Sequence, residues 1–286
     1  MKEYKLYLKS LQARNKSKTT ITNATNFISE FLELMNIKTV NDIVELKPMH
    51  FENYTTMLNN TQSSKKTKLA YIKMFMAFLE KNELITKNYA SLVKVDAPYK
   101  AVKCASGDAI KSMMIQLKSS YNRGVNLSDY ALTYTLFTSG VRISELLNVK
   151  LNDITDDGFY VLGKGNKPRF VELQKQTIDL LHDYIKKTNS RRTKEGFVFV
   201  SCNGNKKNRS NYNKTLKLLG EKVGITEAEI SPHKLRHAYA TYMLNAGVDM
   251  DIISKQLGHS NIAITSKIYA ISGKERIRDA ITAVQF

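Results

Sequence analysis

The chain is poor in several features that would each point to a class of protein. It has two cysteines, Cys104 and Cys202, in 286 residues. They show no metal-ligand spacing and cannot make a disulfide framework, which fits a reducing cytoplasm. No apolar run approaches the ~18–20 residues needed to cross a bilayer. Met1 is followed by a lysine-rich amphipathic segment, not by the apolar core of a signal peptide. A dense polybasic block of the kind that anchors to anionic lipid is also missing, and there is no internal repeat. The expectation is a soluble, cytoplasmic protein with no membrane association.

Acidic side chains are scarce too. There are 26 Asp and Glu against 44 Lys and Arg, a formal net charge of +18. Residues 1–103 carry 17 basic and 9 acidic side chains, and residues 104–286 carry 27 and 17. Both halves are therefore basic, so both could lie against one polyanion, for which nucleic acid is the leading candidate. With 42% hydrophobic residues the chain can bury a core, and its length suits two domains.

The periodicity predicts a mostly α fold with a small β-sheet, made of a helical N-terminal domain and an α+β C-terminal one. In 19–35, Ile21, Ala24, Phe27, Ile28, Phe31, Leu32 and Met35 fall on one helical face, as do Leu69, Ile72, Phe75, Met76 and Leu79 in 65–81. Pro48 can open a helix between them, and a short amphipathic helix is expected around Tyr4, Tyr7, Leu8 and Leu11. Lysines and hydroxyls at Lys16–Thr20 and Ser63–Lys68, just before predicted helices, suit phosphate contacts. Residues 96–106, with Pro98 and no periodicity, form the expected linker between domains 1–95 and 107–286.

Beyond it, Ser106 is a candidate N-cap for a helix to about 118. A second helix should run from Leu127 or Ser128 to Ser139, interrupted at Gly140. Phe159–Leu162 and Arg169–Leu173 flank a basic Gly-rich tip and predict a β-hairpin. A helix over 174–188 and a short strand at Phe197–Val200 follow, and several helices close the chain. The last opens with a capping box, Ser272 and Glu275.

Several residues could serve chemistry at a phosphodiester. Such chemistry needs a nucleophile at phosphorus, cations on the equatorial oxygens and an acid for the leaving oxygen. Arginine suits the second task, since its planar fork pairs two phosphate oxygens. In Ser231-Pro-His233-Lys-Leu-Arg236-His237, His233 and Arg236 share a helical face. His233 and His237 have the i, i+4 spacing of a zinc pair, but the Glu of a His-Glu-x-x-His site is absent and no carboxylate ligand is obvious nearby. Arg142 and Glu145, in Gly140-Val-Arg142-Ile-Ser-Glu145-Leu146, have the spacing of an intrahelical ion pair. Lys164 sits at the hairpin tip. Leu257-Gly-His259-Ser260 follows, and then Tyr269.

Taken together and in this order, these blocks resemble the tyrosine recombinases, the phage-integrase family. Five blocks match across 142–269: G-V-R-I-S-E-L, the G-K-G-N-K-P-R hairpin, H-K-L-R-H-A-Y-A-T, L-G-H-S, and the I-Y ending at Tyr269. The resemblance implies that Tyr269 is the nucleophile, forming a 3′-phosphotyrosyl bond and freeing a 5′-hydroxyl. Arg142 and Arg236 would grip the scissile phosphate. His233 would hydrogen-bond it and accept the tyrosine proton, and His259 would hydrogen-bond it as well. Lys164 would be the acid toward the 5′ oxygen, and Glu145 would orient the cations. No metal and no cofactor is implied.

The family also implies an N-terminal core-DNA-binding domain and double-stranded DNA clamped between the two domains. It implies a homo-tetramer on two duplexes, monomeric or dimeric when free, with the C-terminal helix over 272–284 docking on a neighbour or on its own domain. The expected function is site-specific recombination, by Xer-like resolution of chromosome or plasmid dimers or as the integrase of a virus or mobile element. A type IB topoisomerase activity and a DNA-binding protein without catalysis are the remaining alternatives. His259 and Tyr269 lie one step further apart than in many members of the chromosome-resolving branch, and Ala263-Ile264-Thr265 between them resembles some mobile-element integrases.

Overall fold

A computed structural model describes residues 1–96, 104–124, 126–163, 167–189 and 195–258. The chain divides into two compact units, residues 1–100 and 101–286.

The first unit is helical: α1 (Lys2–Ala13), α2 (Lys18–Leu34), α3 (Val40–Val44), α4 (Pro48–Met57) and α5 (Gln62–Lys81), closed by a 3-10 turn at Tyr89–Leu92. The local chemistry explains the starts. Ser17 and Thr61 cap α2 and α5 by accepting from the backbone N–H three residues on. Thr39 and Asp42 form a reciprocal capping box on α3, and Pro48 takes the first position of α4. The predicted stripes meet in a single core, where Phe31 stacks on Phe51 and meets Tyr54 edge-on, with ring centroids 5.7 and 5.0 Å apart. Each such buried side chain contributes about 1.5–3 kcal/mol.

The basic clusters prove to lie at or inside the first turns of α2 and α5. Lys68 is drawn inward, bonding Glu30 at 2.7 Å and Asn60 at 2.8 Å. It is therefore committed to an internal partner and is not a free phosphate donor.

The second unit is built on α7 (Leu127–Ser139), which packs against α6 (Gly107–Asn122), α9 (Lys175–Thr188) and α11 (Pro232–Asn245). Seven residues of α7 are buried, among them Thr133, Thr135 and Ser139. Their hydroxyls bond back to the carbonyls four residues earlier at 2.6–2.7 Å, so these three are satisfied within the helix. Ser106 caps α6 as expected. A short α8 (Ile143–Leu146) follows α7. The hairpin β1 (Gly158–Leu162) and β2 (Pro168–Glu172) pairs antiparallel from Gly158–Glu172 to Leu162–Pro168. Phe159, Val161 and Val171 face the core. Then come α10 (Arg209–Glu221), α11 and α12 (Met250–Leu257).

One expected strand does not form. Phe197 and Val200 make isolated bridges to Lys150 and Lys206, and the segment between them is no ladder. Val198 and Phe199 each lend one backbone group to a different neighbour, Val149 and Lys207. Their apolar character reflects core burial, a signal that does not by itself distinguish a strand from a buried loop.

The hairpin tip from Lys164 to Asn166, most of the predicted linker, and everything from His259 onward, including Tyr269 and the helix expected from Ser272, lie outside the described residues. No helix among the described residues is long and apolar enough to cross a membrane.

Candidate active site

The site grows from the end of α7. Gly140 adopts the left-handed conformation (φ +63°) that terminates the helix. A β-carbon there would stand 2.3 Å from the Tyr239 ring, so only glycine lets α11 approach this closely. The reversal delivers Arg142 to the head of α8. The carboxylate of Glu145 accepts from the Arg142 backbone N–H at 3.1 Å and from its Nη1 at 2.8 Å. The i, i+3 pair read from sequence is therefore also a helix-start lock.

Arg236 projects from α11, whose start is fixed by Pro232 and by Ser231 accepting from the Lys234 N–H. It is 4% exposed. Its Nη1 donates to the Gly140 carbonyl and its Nη2 to the Leu257 carbonyl, both at 2.9 Å. Burial, and then the neighbouring Arg142, bring its pKa down to about 10, so it stays cationic at neutral pH. Arg142 reaches the carbonyl of Gly258 at 3.4 Å with both Nη atoms. The C-terminus of α12 thus receives arginines at its exposed carbonyls, the end of a helix that favours cations.

A third guanidinium was not singled out in the sequence. Arg169 of β2 makes a two-pronged pair with Glu145 at 3.1 and 2.8 Å, and its Nη2 donates to the Leu257 carbonyl at 3.2 Å. It was visible as the last residue of G-K-G-N-K-P-R, but spacing alone did not show that it turns back onto Glu145. Burial pushes the Glu145 carboxyl up, yet hydrogen bonds from Arg169 and Arg142 outweigh this and hold it below the ordinary range. Two arginines share this one carboxylate and Arg236 has only carbonyl partners among the described residues, which leaves an excess of positive charge.

That excess faces a cleft of about 800 Å³, lined by Arg142, Ser144, Arg209, Lys214, His233 and Arg236 among others and, among the described residues, by no acidic side chain. Arg209 and Lys214, from α10, belong to no motif; only folding brings them here. Burial first, and then Arg236, Arg142 and Arg209, lower the His233 pKa, so its imidazole is neutral at pH 7 and able to accept a proton. A pocket of this make-up suits a phosphate whose charge must be offset without metal ligands. Among the described residues no cluster of His, Cys, Asp or Glu is arranged to hold a metal ion.

Of the residues expected from sequence, the structure brings together Arg142, Glu145, His233 and Arg236. Lys164, His259 and Tyr269 lie outside the described residues. The described backbone ends at Gly258, whose carbonyl already accepts from Arg142.

The chain is similar to several known proteins. Residues 106–276 match the Phage integrase family. The tyrosine recombinase XerD of Chlamydia muridarum is 31% identical over 254 residues, covering 86% of this chain and 83% of that protein. The tyrosine recombinase XerC of Halalkalibacterium halodurans is 27% identical over 288 residues, covering 96% and 93%. Among solved structures, XerH site-specific recombinase bound to a palindromic difH substrate superposes with a TM-score of 0.75 at 19% identity, covering 95% of this chain and 81% of that one. A lambda integrase dimer bound to a core site superposes with a TM-score of 0.76 at 15% identity, covering 93% and 94%.

Proposed function

Because the chain belongs to the phage integrase family, the tyrosine recombinases, we propose that it is a site-specific recombinase that cuts and rejoins double-stranded DNA through a covalent phosphotyrosine. The observation that carries this reading is the basic cleft in which Arg142 and Arg236 are fixed by main-chain carbonyls beside a neutral His233.

The Tyr269 hydroxyl attacks the scissile phosphorus, and its proton passes to His233. Arg142 and Arg236 offset the charge that builds on the non-bridging oxygens. As the bond from phosphorus to the 5′ oxygen breaks, Lys164 protonates that oxygen. The products are a 3′-phosphotyrosyl enzyme and a 5′-hydroxyl. Rejoining reverses these steps when the 5′-hydroxyl of the exchange strand attacks the phosphotyrosine. His259 is a second hydrogen-bond donor to the phosphate. No metal is required, since guanidinium groups supply the electrophilic field.

The relatives named XerC, XerD and XerA, matched over most of their lengths, support a Xer-like role in resolving chromosome or plasmid dimers. Strand exchange between two duplexes calls for four active sites and hence a homo-tetramer on DNA. A helix over 272–284, as the sequence predicts, would present Ile277, Ala280, Ile281 and Val284 for docking on a neighbouring subunit. The test is a nicked DNA substrate that loses its 5′-hydroxyl fragment on cleavage. The protein should become covalently trapped, with the adduct at Tyr269, while Tyr269→Phe should bind DNA and trap none. An adduct that persists in Tyr269→Phe overturns the assignment.

A further inference from the structure

We infer that Arg169 is a positioning residue for strand cleavage, acting through Glu145 on Arg142 and tying the β-hairpin to the floor of the site; this rests on the recombinase reading above. Three observations carry it.

First, Arg169 lies outside the lining of the cleft. Its side chain is 17% exposed. Both Nη atoms are spent on Glu145 and the Leu257 carbonyl, and its Nε is buried with no hydrogen-bond partner among the described residues. Arg142 and Arg236, by contrast, line the cleft.

Second, Glu145 holds two guanidiniums at once. Its Oε1 accepts from Arg142 at 2.8 Å and from Arg169 at 3.1 Å, and its Oε2 accepts from Arg169 at 2.8 Å and from the Arg142 backbone at 3.1 Å. With Arg169 gone, the carboxylate is free to rotate onto Arg142, and the orientation of that cation toward the cleft is no longer fixed. With Arg169 present, both carboxylate oxygens are pinned in the plane of its fork, a geometry that lysine cannot reproduce.

Third, the neighbouring backbone is shaped around this side chain. Gly258 sits at φ +66°, and a β-carbon there would meet the Arg169 Cζ and Nε at 2.6 Å. The Arg169 side chain therefore packs directly against the glycine that precedes His259. Arg169 also belongs to β2, which follows Lys164 in the sequence, so one residue links the hairpin, the carboxylate and the end of α12.

The experiment compares wild type, Arg169→Lys, Arg169→Ala, Glu145→Ala and the Arg169→Ala/Glu145→Ala double variant on the nicked substrate. It measures DNA affinity, the single-turnover cleavage rate at saturating protein, and Tm. Arg169→Lys should lose cleavage rate by on the order of 100-fold, the scale of a displaced reacting group, with DNA affinity and Tm close to wild type. The double variant should cleave no more slowly than Glu145→Ala alone. If Arg169→Lys cleaves at the wild-type rate, or if its loss follows Tm or DNA affinity and spares the saturating rate, the inference is overturned. The same holds if the two substitutions multiply independently. Wild type that forms no covalent adduct would instead overturn the recombinase reading.

Discussion

Arg236 donates a 2.9 Å hydrogen bond to the carbonyl oxygen of Gly140, a residue 96 positions earlier in the chain. This contact joins the end of α7 to the middle of α11, and it depends on a glycine for two separate reasons: the left-handed backbone and the Tyr239 ring against its Cα. Gly140→Ala should therefore lower stability by about 2–4 kcal/mol, combining strain at positive φ with overpacking. Chemical denaturation should show the loss, and cleavage should fall further than stability because Arg236 moves with Gly140. An Ala variant with an unchanged unfolding midpoint would contradict this packing.

Glu145→Ala strands two guanidiniums around an empty centre. A wholly buried pair broken in this way costs about 3–5 kcal/mol. Arg142 is more than a third exposed, at 38%, so solvent screens part of the loss and about 2–3 kcal/mol is expected. The folded-state pKa of Glu145 is depressed, so this contribution is present above the ordinary carboxylate value and is lost as pH falls through the folded one. A denaturation series from pH 7 to pH 3 should show the gap between wild type and Glu145→Ala narrowing in acid.

His233 gives linkage of the same sign, in the imidazole range. Its folded pKa lies below the ordinary value of about 6.5. In the window just beneath that value the unfolded chain binds more protons, so stability falls as acid is added and rises with pH. His237, lowered by burial and then by His233 and Lys234, adds in the same direction. In DNA-free protein, the NMR titration of His233 should have its midpoint below 6.5. Arg209→Ala should raise that midpoint without carrying it above 6.5, since burial is the larger cause. A midpoint above 6.5 in wild type would count against a neutral proton acceptor at pH 7.

Lys164→Ala should slow cleavage of ordinary DNA. A substrate whose bridging 5′ oxygen is replaced by sulfur, a leaving group that needs no proton, should restore most of the rate. No restoration would remove Lys164 from the role of acid.

DNA binding should weaken steeply with salt, each phosphate contact contributing about 0.9 to the log–log slope. Lys214→Ala should lessen that slope, as Lys214 lines the basic cleft. A flat salt response would show that the charge of this surface is not used on DNA.

The helix positions of the first unit were legible because Phe31, Ile72, Phe75 and their stripe partners repeat at helical spacing, and burial enforces that spacing. Arg142, Glu145, His233 and Arg236 were legible because their order and spacing make recognisable blocks. Arg169 was hidden inside one of those blocks: the pairing of a strand residue with a helix carboxylate is a product of tertiary packing, and no local period encodes it. Arg209 and Lys214 were hidden for the same reason. Phe197–Val200 misled because burial, not a ladder, selects those side chains. Lys68 misled because a lysine in sequence does not reveal that Glu30 waits across the helix pair.

The anchors of the three arginines are mostly peptide carbonyls, at Gly140, Leu257 and Gly258. No side-chain replacement can delete a carbonyl. A complete mutational map of this protein would therefore record the arginines as intolerant while leaving Leu257 free to be exchanged for another apolar residue. Half of the machinery that aims the cations would not appear in such a map, except at the two glycines, where it would look like a steric rule.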